Sequence, residues 1–308
     1  MIKVFHYCNI FILIYIIEYM KNMEIKAPAK INLFLKILGK RDDGYHDIFS
    51  WFQAVSLFDY ISFEPKQESN FELSIESSTP LPIDGNNLII KAAELLFGKY
   101  NIRGGLKIHL KKNIPIAAGL GGGSSDAAAT IFAINKLFEL GLGVKDMRIL
   151  GLKIGSDLPF FFSSGQAEIT GRGETIKEIL LPFDYHIVLI SPPIMISTAE
   201  SYTNLKLDLT ISLPNIKFSY PRNFSELAGE IVNIGNDFEI LHLKSYPELG
   251  RIKDALVKAR AILTCLSGSG PTIFGLWENM PEREDLKQIT RGDWQVFNVW
   301  PITLPAWD

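Results

Sequence analysis

The 308-residue sequence predicts a mixed α and β protein long enough for two domains, and three observations carry that reading. Segments that alternate apolar and polar residues with period two fill the first third and return near the end, the pattern of half-buried strands. Runs with helical apolar spacing lie among them. Between one such strand and one such helix stands Pro115-Ile116-Ala117-Ala118-Gly119-Leu120-Gly121-Gly122-Gly123-Ser124-Ser125-Asp126, the stretch around which the chain is organised.

That stretch follows an alternating strand at 106–110 and precedes Ala127, Ile131, Ile134 and Phe138 at helical spacing. Four glycines and two serines opening a helix offer bare N–H groups and the positive end of the helix dipole, which suit a nucleotide's phosphates. An ordinary turn needs only one or two glycines for positive φ. A Walker A loop would place Lys after its last glycine, but Gly123 is followed by Ser124. The dinucleotide fingerprint fails as well, because Ser124 stands at its third glycine position. A lysine for the phosphates must therefore come from elsewhere in the chain.

Composition narrows the function classes. The chain is 47% hydrophobic and 21% charged, ordinary for a globular enzyme. A net charge of −3 excludes a generic binder of nucleic acid or anionic membrane, which needs a broad basic field. Cys8 and Cys265 are too few for a disulfide framework, which points to a reducing, cytoplasmic compartment. The five His show no paired metal spacing.

Taken in order, residues 1–22 contain an apolar run at 10–17, short of the roughly 20 residues a membrane span needs. No small-residue cleavage site follows it, so Met23 is expected as the biological start and no stable membrane insertion is expected. From Met23, Ala29, Ile31, Leu33 and Leu35 alternate with Lys30, Asn32 and Lys36 as a strand with a polar face, with Pro28 marking an edge or a bulge. Gly39-Lys40-Arg41-Asp42-Asp43-Gly44-Tyr45-His46 is a turn-rich loop. Two strand-like runs follow over 48–63, another alternates over 71–75, and a helix with Asn86 or Asn87 as cap covers 87–100.

A short helix over 147–154 leads to Gly155-Ser156-Asp157-Leu158-Pro159-Phe160, where Asp157 stands between a helix end and an aromatic run. A carboxylate there needs a partner, and an N-cap is one option. A strand at 185–190 ends at Ser191-Pro192-Pro193, by which point a second domain has begun. Ser197 opens a helix with a capping pattern, and 203–222 read as polar and irregular. Asn236 precedes a helix, 247–261 form another, and 264–275 read as strand, Gly-Ser turn, strand. The alternating segment 294–300 closes the chain as a strand.

Three separated stretches resemble the three motifs of the GHMP small-molecule kinases: Pro28-Ala29-Lys30-Ile31-Asn32-Leu33, the run from Pro115 to Ala129, and Leu266-Ser267-Gly268-Ser269-Gly270. The resemblance covers residues 23–300, and the 39–46 loop with Gly155-Ser156-Asp157-Leu158-Pro159-Phe160 narrows it to the branch whose alcohol substrate carries a cytidine diphosphate. It implies a two-lobed α+β GHMP kinase fold. A ribosomal-S5-domain-2-like nucleotide-binding domain with a left-handed βαβ unit is expected over 23–168, and a ferredoxin-like α/β sandwich domain over 169–308. Residues 1–22 are then a non-native or mobile extension, and the active site lies between the lobes.

Residue by residue, the resemblance implies Asp157 as general base and Lys30 as catalytic lysine. ATP is expected on Pro115, Ala117, Ala118, Gly119, Leu120, Gly121, Gly122, Gly123, Ser124 and Ser125, with adenine near Lys112 and Mg²⁺ travelling with the ATP. Tyr45 and Tyr202 are expected to sandwich the cytosine, His46 to hydrogen-bond it, and Asn32 and Thr198 to touch substrate. Gly268, Ser269 and Gly270 form the third motif's loop. The implied partner is a small molecule, and the assembly a monomer or weak homodimer.

Overall fold

The computed structural model describes residues 22–205, 220–282, 284, 289 and 292–304. All but Asn22 of the expected extension, and most of the expected irregular stretch 203–222, lie outside them.

The first lobe grows from one long antiparallel hairpin, β1 (Met23–Lys40) and β2 (His46–Lys66). The two runs expected over 48–63 are one continuous strand of 21 residues, paired along its length with β1. The register shifts between Pro28 and Ala29, so Pro28 sits at an irregularity, where its missing N–H costs no ladder bond. β3 (Phe71–Glu76), α1 (Leu88–Tyr100) and β4 (Gly105–Lys111) form a βαβ unit with β3 and β4 parallel. Asn87 caps α1, its side chain accepting from the Ile89 N–H at 2.9 Å.

α2 (Gly122–Leu137), α3 (Val144–Leu152), a 3₁₀ turn (Leu158–Phe162), β5 (Gln166–Gly171) and β6 (Thr175–Glu178) complete this lobe. The sheet runs β3-β4-β2-β5-β6, with β1 also on β2. β1 takes one edge of β2, while β5 and β4 share the other at its two ends. The domain boundary expected after residue 168 thus falls inside β5, and the first sheet continues to Glu178.

The second lobe contains β7 (His186–Ser191), α4 (Thr198–Asn204), α5 (Phe224–Ile234), α6 (Asp237–Ser245), α7 (Pro247–Lys258), β8 (Leu263–Leu266), β9 (Ile273–Trp277) and β10 (Gln295–Val299). Its four strands are antiparallel in the order β10-β7-β9-β8.

The face of β1 that carries Ala29, Ile31 and Leu33 is spent on an apolar layer shared with Ile187, Leu189, Phe274 and Leu276 of the second sheet. A fully buried side chain of this kind contributes roughly 1.5–3 kcal/mol. Because successive strand residues point to opposite faces, burying 29, 31 and 33 turns Lys30 and Asn32 toward the cleft. The polar face read from the sequence is therefore not a solvated one: Lys30 and Asn32 are both buried.

Candidate active site

β1 delivers Lys30 into a cleft of about 490 Å³ that is lined from both lobes. The Lys30 ammonium donates to Asn32 Oδ1 at 2.6 Å and stands 3.3 Å from Asp157 Oδ2. Below it the Phe52 ring lies 4.4 Å away, a cation–π seat. The Asn32 amide is fully engaged, since its Nδ2 donates to Ser50 Oγ at 3.0 Å while its Oδ1 holds Lys30. Asn32 orients the lysine in this structure.

Asp157 precedes the 3₁₀ turn but makes no side-chain cap bond there, which removes the structural alternative of an N-cap. Its side chain keeps 35% exposure, against 4% for Lys30, so one face of the carboxylate remains open to the cleft. An open carboxylate backed by a buried ammonium can take a proton from an incoming hydroxyl while the ammonium meets negative charge.

The glycine stretch passes directly over this pair. Gly121 adopts φ 67° as the N-cap of α2, and a Cβ there would come within 2.9 Å of Lys30 Cγ. Gly119 adopts φ 75°, and its Cβ would fall 2.0 Å from the Ser267 carbonyl oxygen. Glycine is required at both positions on conformation and on space. The first N–H returning into α2 is that of Ser125, to Gly121 O at 3.0 Å, so the amides of 122–124 have no partner within the helix and face the cleft. Pro115 to Ser124 all line the cleft. Ser125 is buried behind it, its Oγ without a hydrogen-bond partner.

The third motif locks onto the second. Ser267 Oγ donates to Gly119 O at 2.9 Å and accepts from Asn32 N at 3.3 Å. Gly268 and Ser269 line the cleft, and Ser269 Oγ shares a 2.8 Å hydrogen bond with Thr198 Oγ1 at the start of α4. Gly270 closes the turn with its N–H to Ser267 O at 2.9 Å.

At the other end, Tyr202 lines the cleft and stacks on His46 with centroids 4.8 Å apart and planes 21° apart. Its edge meets Phe238 at 4.9 Å. Burial, helped by the charge of Asp157, pushes the Tyr202 hydroxyl well above its usual range. Burial, then the Lys40 charge, lowers His46, so its ring favours the neutral form. Tyr45 is 48% exposed, and the Arg172 guanidinium covers its ring at 4.5 Å. In this structure Tyr202 stacks on His46, and Tyr45 lies beneath Arg172.

Lys112 reaches the cleft wall from the end of β4, but not as a free cation. Its ammonium is shared by Asp59 and Asp126, at 2.7 Å from the latter, and all three side chains are almost wholly buried. Sequence reading missed Asp59, because a charge within a strand reads as solvated, and the role of Asp126, because a carboxylate in the first turns of a helix reads as a partner of the helix dipole. Asn236 was also missed as a site support. Its amide donates to Leu266 O at 2.7 Å and Gly268 O at 2.9 Å, holding the third motif from beneath.

Against this geometry, the family description "GHMP kinases N terminal domain" matches residues 87–165, and "GHMP kinases C terminal" matches 221–291. A 4-diphosphocytidyl-2-C-methyl-D-erythritol kinase of Bacillus mycoides (strain KBAB4) is 42% identical over 253 residues, 82% of this chain and 87% of that protein. The chain belongs to the GHMP kinases. Another relative of the same name, from Thermodesulfovibrio yellowstonii, is 40% identical over 278 residues, 88% of this chain and 95% of the relative. Among solved GHMP kinases, a crystal structure of 4-(cytidine 5'-diphospho)-2C-methyl-D-erythritol kinase superposes with TM-score 0.72 at 29% identity, covering 91% of this chain and 99% of the other. Mevalonate kinase of Methanococcus jannaschii has TM-score 0.69 at 20% identity over 92% and 99%, a likeness of fold. The two-lobed α+β GHMP kinase fold expected from the three motifs is the fold found.

Proposed function

We propose that the chain uses ATP to phosphorylate the 2-hydroxyl of 4-diphosphocytidyl-2-C-methyl-D-erythritol, the kinase step of the methylerythritol phosphate route to isoprenoid precursors. The observation that carries this reading is the Lys30–Asp157 pair beneath the glycine stretch, in a chain whose relatives at 40–42% identity bear that enzyme's name. Asp157 takes the proton of the attacking hydroxyl as its oxygen bonds the γ-phosphorus, and ADP leaves with the electrons of the broken bond. Lys30, held by Asn32 and Phe52, meets the charge that develops on the phosphoryl oxygens. The amides of 122–124 cradle the ATP phosphates.

The cytosine end of the substrate lies at Tyr202 and His46, with Thr198 and Ser269 along the way. Mg²⁺ accompanies the ATP and neutralises phosphate charge when bound. Among the described residues no group of three or more His, Cys, Asp or Glu side chains could hold a metal, so phosphate oxygens are its main ligands in this reading. No described helix is long and apolar enough to cross a membrane. The enzyme in this reading is cytoplasmic and acts on a small molecule as a monomer or weak homodimer. The lobes divide in this reading between β6 and β7.

The test is ATP consumption by the purified chain against a panel of alcohols: the cytidine diphosphate substrate, mevalonate and homoserine. Turnover of the first alone is expected. Turnover of mevalonate or homoserine in its place would overturn the substrate assignment while leaving the family intact.

A further inference from the structure

The Asp59–Lys112–Asp126 cluster carries two negative groups and one positive group beneath the start of α2, and the proposed chemistry does not use it. Asp59 is the better satisfied of the two carboxylates: Oδ2 takes Lys112, and Oδ1 accepts from the N–H groups of Asn113 at 2.7 Å and Ile114 at 2.9 Å. Asp126 takes Lys112 on Oδ2 at 2.7 Å and interacts with the Asp59 side chain, while its buried Oδ1 has no hydrogen-bond partner. Lys112 itself sits against the helix start, its Nζ 2.9 Å from where a Cβ on Gly122 would be. The cluster therefore faces, through one layer of glycine backbone, the place where the nucleotide reading puts the phosphates.

We propose that binding of the nucleotide polyanion draws one proton from solvent onto Asp126, and that Asp59 and Asp126 are positioning residues which hold Lys112 at the helix start while this proton removes the cluster's surplus negative charge beneath the nucleotide. This inference rests on the nucleotide reading. A polyanion set above a buried cluster with surplus negative charge raises the cost of keeping both carboxylates ionised. The proton goes to Oδ1 of Asp126, the one carboxylate oxygen in the cluster that need give up no hydrogen bond. Once Asp126 is neutral, Lys112 and Asp59 balance each other, and the cluster no longer sets a net negative charge beneath the phosphates.

The surroundings agree. Burial pushes the Asp126 carboxyl up to about 7, with the Lys112 charge pulling it down and the Asp59 charge adding to the rise, so it changes protonation near neutrality. From β1 and the 3₁₀ turn, the charged groups nearest the glycine stretch are Lys30 and Asp157, already paired with each other. α1 turns the apolar Leu88 toward Gly123, and α3 meets α2 through Met147.

Calorimetric titration of Mg·ADP into the full chain, slightly above neutral pH in two buffers of different ionisation heat, reads the proton directly. The expected result is a buffer-dependent enthalpy approaching one proton taken up, lost in Asp126→Asn. On the unmodified chain, the dissociation constant should also rise with pH above neutrality, by up to tenfold per pH unit. Equal heats in both buffers with a pH-independent dissociation constant would overturn the proposal while leaving nucleotide binding in place. Absence of any binding would overturn the nucleotide reading and the proposal with it.

Discussion

Lys30 and Lys112 line the same cleft and each is paired with aspartate, yet their partners live in different media. Asp157 keeps 35% of its side chain in solvent, whereas Asp59 and Asp126 keep 0% and 4%. An exposed carboxylate pays little desolvation and is free to meet a third group. A carboxylate enclosed on all sides meets no incoming substrate, and taking its partner away leaves a buried charge. In the proposed reading, the burial of the aspartates decides which lysine serves chemistry and which serves placement, since the lysines themselves are equally enclosed.

The comparison can be broken at its strongest point first. Asp157→Asn should lower kcat by about 10²–10⁴-fold with little change in the KM for ATP, the range for a positioned acid–base group. Steady-state kinetics showing near-wild-type turnover would remove Asp157 from the reaction. Lys112→Met should act on the fold instead, destabilising it by about 3–5 kcal/mol because two buried carboxylates lose their cation. Denaturant titration checks this, and an unchanged midpoint would mean the cluster is wetter than its burial implies.

Proton linkage sharpens the contrast. The Asp126 carboxyl rises from 3.8 to about 7 on folding, so the folded state holds more protons than the unfolded state across that window. Its contribution to stability is then fully present at low pH and lost as pH climbs from about 4 through 7. Asp126→Asn should flatten that stretch of the stability–pH curve, measured by thermal melting, and an identical slope would contradict it. The smallest effects lie at the base end. Tyr202→Ala should raise the KM for the cytidine substrate by the roughly 1–3 kcal/mol of one base stack, Tyr45→Ala by less, and neither should alter the KM for ATP. The reverse order of the two would restore the Tyr45 sandwich.

Much of this was legible in sequence because local chemistry demanded it. Gly119 and Gly121 are glycines that nothing else could replace, and Lys30 and Asn32 keep the parity that burial of Ala29 and Ile31 imposes. The neighbours of Asp157 marked it only as a carboxylate in need of a partner, and its role as base came from the resemblance to the GHMP kinases. What stayed hidden was long-range pairing. Asp59 sits in a strand whose alternation gives it no distinction, and only the approach of Lys112 and the 113–114 backbone reveals its part. The length of β2 was hidden too, since two strands and one are separated by turn geometry alone. His46 finding Tyr202 depends on how α4 docks, which no spacing records.

The seam between the second and third motifs bears on how the molecule is made. Gly119 O is held by Ser267 Oγ at 2.9 Å and Ala118 O by the Thr272 N–H at 3.4 Å, while a methyl group on Gly119 would collide with Ser267 O. The glycine stretch, the phosphate cradle of the proposed reading, is thus only half encoded in the lobe that carries its signature. A chain emerging from the ribosome has translated every glycine of that cradle long before the residues that brace it, so the loop can reach its working shape only when the second lobe closes over it. Nucleotide affinity should therefore appear as a late event in refolding, in step with the docking of β8 and β9 rather than with the formation of the first sheet.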